Sequence, residues 1–132
     1  MFEALCGVIL FVGLVLNALD RRMLLLTVLV GVGFFLPAPN DSYNSFFIFV
    51  IYVDTIIGLA AMFLAARGSV LVAELSVLLV IAHCMGYALD GSLPFSPYHV
   101  LVKILEVAQI GACVAFSPIL APVLRNHDAT TT

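Results

Sequence analysis

Residues 46–66 read FFIFVIYVDTIIGLAAMFLAA. At about 1.5 Å per residue such a run is long enough to cross the ~30 Å hydrocarbon core of a bilayer as one helix. A single carboxylate, Asp54, stands almost at its middle. A charge at that depth costs roughly 2.5–3.5 kcal/mol even on the lenient insertion scales. The residue therefore needs a partner, water, a proton or a function.

Composition extends this reading to the whole chain. Of 132 residues, 64% are hydrophobic and 10% charged, and the mean hydropathy is +1.22; a soluble domain is about 45–50% apolar. The expectation is an all-α, polytopic transmembrane bundle, with 1–132 as a single integral-membrane domain and no hydrophilic linker or second domain. The formal net charge of −3 comes from scattered residues, which excludes a nucleic-acid surface and an acidic tail. Cys6, Cys84 and Cys113 all lie in apolar runs and read as small hydrophobes with free thiols.

The remaining runs follow from the polar punctuation. ALCGVILFVGLVLNAL (4–19) ends in Asp20-Arg21-Arg22, and a second run to Leu36 stops at Pro37 and Pro39. Both are short, covering roughly 20–25 Å, so bilayer thinning, arginine snorkelling or a shallow hairpin must make up the difference. The first run is not read as a signal peptide, because its early charge is the acidic Glu3 and another apolar run follows at once. The loop PAPNDSYN is dense in turn residues. Two full spans follow, 45–66 ending at Arg67-Gly68-Ser69 and 70–89 ending at Asp90-Gly91; DGSLPFSPYH then leads to a last run, broken by Pro118 and Pro122. Helices are thus expected at 4–19, 22–36, 45–66, 70–89 and 99–120, with a fraying polar tail at 121–132. Five crossings are favoured; the alternative is four, or three plus an N-terminal hairpin.

Four arginines orient this topology. With five crossings, Arg21, Arg22, Arg67 and Arg125 fall on one side, and the two loops on the other side hold no Lys or Arg. By the positive-inside rule the arginine side is cytoplasmic, which places a multi-pass protein in the cytoplasmic (inner) membrane with its N-terminus outside and its C-terminus inside.

The topology also assigns depths. Counted from the external ends, His83 lies about 9 Å down its helix, Lys103 about 8 Å, Glu106 about 12 Å and Asp54 about 14 Å. Side chains from three helices therefore share one layer, an intramembrane polar cluster in which Lys103 and Glu106, at i and i+3, are expected to pair. His83 and Tyr87 are further candidate partners for Asp54. Glu74 lies nearer the arginine end and on the face of its helix opposite His83. It is expected to snorkel or meet an arginine; facing a neighbouring subunit, it would imply an oligomer. Asp54, Gly58, Ala61 and Ala65 form a narrow stripe of small residues, and Ala108 and Ala112 a second, both read as helix-packing faces.

Catalysis finds little support. Ser76, His83 and Asp54 can be assembled on paper into a triad, but no strained nucleophile turn or oxyanion motif accompanies them. Adjacent His83 and Cys84 point about 100° apart on a helix, so no metal site is expected, and no cofactor motif occurs. The expected function is that of a structural or accessory subunit, partnered by the bilayer and by itself or other membrane subunits, with ion pairs as glue. The alternative is a pore or proton-conducting protein in which the polar layer lines a path and His83 titrates. In size and compact loops the chain resembles small phage-encoded membrane proteins such as holins; the likeness is one of format, carried by no motif.

Overall fold

Polar residues set the helix ends, and the apolar runs between them pack side by side. The computed structural model describes residues 1–89 and 95–131, and among these the chain is α-helical with no strand: α1 Phe2–Leu16, α2 Arg21–Phe35, α3 Tyr43–Leu64, α4 Ser69–Leu89, α5 Phe95–Ala115 and α6 Leu120–Thr131. Three of them, α3, α4 and Pro97–Ala115 of α5, are long and apolar enough to cross a membrane. α1 and α2 have 15 residues each.

The observed ends differ from the expected ones where a side chain intervenes. α1 stops at Asn17, whose backbone N–H donates to the Gly13 carbonyl at 2.9 Å. Asp20 then caps α2 by accepting the Met23 N–H at 3.3 Å. Ser42 starts α3 early, its hydroxyl accepting the Ser45 N–H at 3.1 Å. α3 closes at Ala65, which is left-handed (φ 49, ψ 37), and the Ala66 N–H donates to Ser69 Oγ at 2.8 Å. α5 begins sooner than expected because Pro97 sits in its first turn, where a missing N–H leaves no bond unmade. The tail, expected to fray, continues instead as α6: Ser117 Oγ accepts the Leu120 N–H at 3.1 Å, and Pro122 falls in a first turn that tolerates it. The expected turn at Asp90-Gly91 lies outside the described residues.

Pairwise contacts give the topology. Tyr43 at the start of α3 hydrogen-bonds the carbonyls of Gly86 and Tyr87 at the end of α4, and Gly58 lies against Ser76, so α3 and α4 run antiparallel. The neighbours Gly13 with Thr27 and Gly7 with Phe35 make α1 and α2 antiparallel. Phe2 beside Lys103 and Gly13 beside Val114 make α1 and α5 parallel. From α1 to α5 each helix thus reverses the last, α1 returns to α5, and α2 also packs on α3 and α5. The starts of α2 and α4 and the ends of α1, α3 and α5 form one end of the bundle, where Arg21, Arg22 and Arg67 are exposed.

The main core lies toward that arginine end. Met23, Leu26 and Val30 of α2 pack with Cys6 and Leu10, with Ile57 and Ala61, and with Val72, Ile110, Ala112 and Cys113. The outward faces are largely apolar, α1 and α2 included: Leu5, Val8, Phe11 and Val15 on α1, and Leu25, Val28 and Val32 on α2, are all exposed.

Candidate functional site

Asp54 lies on the buried face of α3 with Ile57 and Ala61, and looks across to α4. Gly58, one turn on, brings the helices close: a Cβ there would stand 3.1 Å from the Ser76 Cβ. This approach delivers Asp54 Oδ2 to His83 Nε2 at 3.0 Å. The other imidazole nitrogen, Nδ1, is 2.6 Å from the Tyr98 hydroxyl on α5. One chain of hydrogen bonds therefore ties three consecutive helices, with His83 only 4% and Asp54 9% exposed. An ionised carboxylate can only accept, so opposite an ionised Asp54 it is Nε2 that carries a proton. With the ring neutral, the phenol donates to Nδ1; with the ring charged, Nδ1–H donates to the phenol oxygen.

A second group of polar side chains lies deeper. Gln109 of α5 donates from Nε2 to Ser76 Oγ at 2.8 Å and to the Val72 carbonyl at 3.3 Å. Between the two groups is a cavity of about 20 Å³ lined by Asp54, Glu106 and Gln109 with apolar residues of α2 and α3. A water needs roughly 10–15 Å³ and two or more polar partners, so the cavity has room and lining for one. Toward the arginine end the polar trail stops at Ala61, Val72, Ile110 and Cys113. Past this plug, Asn17 Nδ2 donates to Thr27 Oγ1 and to the Cys113 carbonyl, both at 2.9 Å.

At the opposite end the chain is open. A pocket of about 500 Å³ lies between the start of α3, the end of α4 and the start of α5, walled by Phe46, Phe47, Ala82, Met85, Leu101 and Tyr98 among others. Gly86 makes room for this arrangement, since a Cβ there would come within 2.8 Å of the Tyr98 ring and 3.1 Å of Phe47. Tyr98 is thus at once a wall of the pocket and the outer member of the Asp54–His83 chain.

The expected polar layer is therefore assembled in part. Asp54 and His83 meet directly, and Glu106 shares a cavity with Asp54. Lys103 does not join them: it is exposed, and its Nζ lies 5.2 Å from the centre of the Phe2 ring. Asp54 pairs with His83 instead, and the expected Lys103–Glu106 ion pair is not formed. Helix rotation explains this, because Lys103 turns toward α1 and outward while Glu106 turns inward. Tyr87 stacks on Tyr43 instead of reaching Asp54. Ser76 is held by Gln109, and so forms no triad with His83. Glu74 is exposed on α4.

Of the packing residues, Gly58 and Ala61 lie on the α3–α4 contact, Ala112 is in the core and Ala108 flanks Leu79 and Leu105. Ala65 leaves the stripe, exposed at the end of α3. Arg125 is exposed on α6. No group of three or more His, Cys, Asp or Glu among the described residues is placed to hold a metal.

Tyr98, Gln109, Asn17 and Thr27 are the hydrogen-bonding partners that sequence reasoning passed over. Tyr98 was hidden by assigning 90–99 to a loop; Pro97 as a first-turn residue is the signal that recovers it. Gln109 stands three residues after Glu106 on the same side of α5, a spacing the layer argument could have used. Comparison of the chain with protein-family models, with curated proteins and with solved structures gives no match.

Proposed function

We propose that the chain is a multi-pass membrane protein in which α1 to α5 all cross the bilayer, and that it works as a structural or accessory subunit: a sealed bundle whose buried Asp54–His83–Tyr98 chain locks α3, α4 and α5 in register. One observation carries the reading. Asp54, His83 and Tyr98 answer one another within the chain, and the polar trail ends against the apolar plug of Ala61, Val72, Ile110 and Cys113. A pore through a single chain needs continuous wetting, which that plug opposes. Five crossings are supported by the outward faces of α1 and α2, as apolar as those of the longer helices. At about 22 Å these helices need only modest thinning of the bilayer. The arginines gathered at one end favour that end as cytoplasmic. Glu74, exposed within α4, marks the side on which a cationic group of another subunit would be met.

The cavity shared by Asp54 and Glu106 favours a second reading, a proton relay from the open pocket through Tyr98, His83 and Asp54 to Glu106. Proton flux in liposomes containing the purified chain, followed with a trapped pH-sensitive dye, separates the two. The structural reading predicts flux no greater than in empty liposomes, and lower stability without altered flux in Asp54→Asn. Flux that is present in the native chain and abolished by Asp54→Asn would replace it with the relay.

A further inference from the structure

The 500 Å³ pocket beside Tyr98 is unused by a purely structural role. Its volume lies within the ~300–1,000 Å³ range of small-molecule sites, and such sites combine apolar walls with a few placed polar groups. Here most of the wall is aromatic and aliphatic, Asn40, Ser42, Tyr43 and His99 add polar groups, and no Asp, Glu, Lys or Arg lines it among the described residues. A ligand with a carboxylate, phosphate or ammonium would lose its hydration without a countercharge. The apolar majority of the wall, with hydrogen-bonding rather than fixed charged groups on it, suits a neutral occupant.

We propose that this pocket binds a neutral, membrane-dissolved alcohol: an apolar body against Phe46, Phe47, Ala82 and Met85, and a hydroxyl on the Tyr98 oxygen. The polar end is specified by the hydrogen-bond chain. Tyr98 uses one of its hydrogen-bonding capacities on His83 Nδ1, 2.6 Å away. In one state of the imidazole the phenol oxygen retains an acceptor site, in the other its proton. A hydroxyl serves both because it donates and accepts, whereas an alkane serves neither. The route in is lateral: Met85 and Leu101 both line the pocket and are exposed on outward faces of α4 and α5, which the membrane reading sets against lipid. The inference rests on that reading.

The test uses the full chain in phosphatidylcholine vesicles, with flotation confirming insertion, so that failure of the membrane reading is seen separately from failure of the site. A photoactivatable hexadecanol and the matching hexadecane are cross-linked, and the labelled peptides are mapped by mass spectrometry. The expected result is labelling concentrated on Phe46, Met85 and Tyr98, several-fold stronger for the alcohol. Tyr98→Phe is expected to keep the labelling site and lose the alcohol preference, a difference of up to about tenfold for one hydrogen bond. Met85→Trp and Leu101→Trp, which place bulk in the pocket from exposed positions, are each expected to abolish labelling there while the helical content by circular dichroism stays native. Labelling spread evenly over the outward faces, equal labelling by both probes in the native chain, or labelling of the pocket that survives both tryptophans would overturn the proposal.

Discussion

Removing Asp54 and His83 singly and together tests the chain that ties α3, α4 and α5. Asp54→Leu leaves His83 Nε2–H without its acceptor at 3.0 Å, and His83→Leu leaves a carboxylate that is 9% exposed without its donor. In a water-soluble core, stranding one member of a buried charged pair costs about 3–5 kcal/mol. In a bilayer the separated helices find other partners, and measured interhelical couplings average about 0.6 kcal/mol with a maximum near 1.7. The pair here belongs toward the upper end, because the 2.6 Å contact from Tyr98 orients the imidazole before Asp54 is met. The expectation is about 2 kcal/mol lost in each single variant, and a double variant about 1–1.5 kcal/mol more stable than the sum of the two losses implies. Reversible unfolding in mixed micelles, driven by increasing dodecyl sulfate and followed by circular dichroism, reads all four stabilities. Additivity within about 0.5 kcal/mol would show that the two residues do not act as a pair and would refute the reasoning.

Further substitutions probe the rest of the bundle. Gly33→Ala puts a methyl group into the Ile57 Cδ1 atom and is expected to cost about 1–2 kcal/mol by overpacking, with much of the loss recovered by adding Ile57→Val; the same micelle titration measures both. Asn17→Ala removes the two 2.9 Å bonds that hold the α1–α2 turn to Thr27 and the Cys113 carbonyl, with an expected loss of about 1–2 kcal/mol. Lys103→Met removes only an exposed contact with Phe2 and is expected to cost less than about 1 kcal/mol; a loss as large as that of Asp54→Leu would return Lys103 to the polar layer.

The sequence revealed residue types and depths more readily than rotations. The helical class, the α3–α4 hairpin and the inward face of Asp54 were all legible, because an apolar run must satisfy its backbone internally and a carboxylate within it must find a partner. Depth along each helix rightly placed His83 near Asp54. It could not place Lys103, since two residues at one depth meet only if their helices turn the right faces toward each other. That depends on close approaches such as Gly58 on Ser76 and Gly86 on Tyr98. The helix ends at Asn17 and Ala65 were missed for a related reason: each is closed by a local hydrogen bond from a residue that reads as part of the apolar run. α6 was missed because a polar, proline-bearing tail has no periodic apolar signal, while its start depends on one serine cap.

Cysteine accessibility at position 19 most directly tests the five-crossing bundle. Leu19 is 95% exposed in the turn between α1 and α2, so Leu19→Cys carries little structural cost. In a background with Cys84, which is exposed, replaced by alanine, a membrane-impermeant maleimide is applied to each face of oriented vesicles. Position 19 is predicted to react from the same face as an Arg67→Cys reporter, and a cysteine at Ala38 only from the opposite face. Labelling of positions 19 and 38 from one face, or protection of position 19 from both while position 67 reacts, would contradict five crossings and turn α1 and α2 into a hairpin that enters the membrane without crossing it.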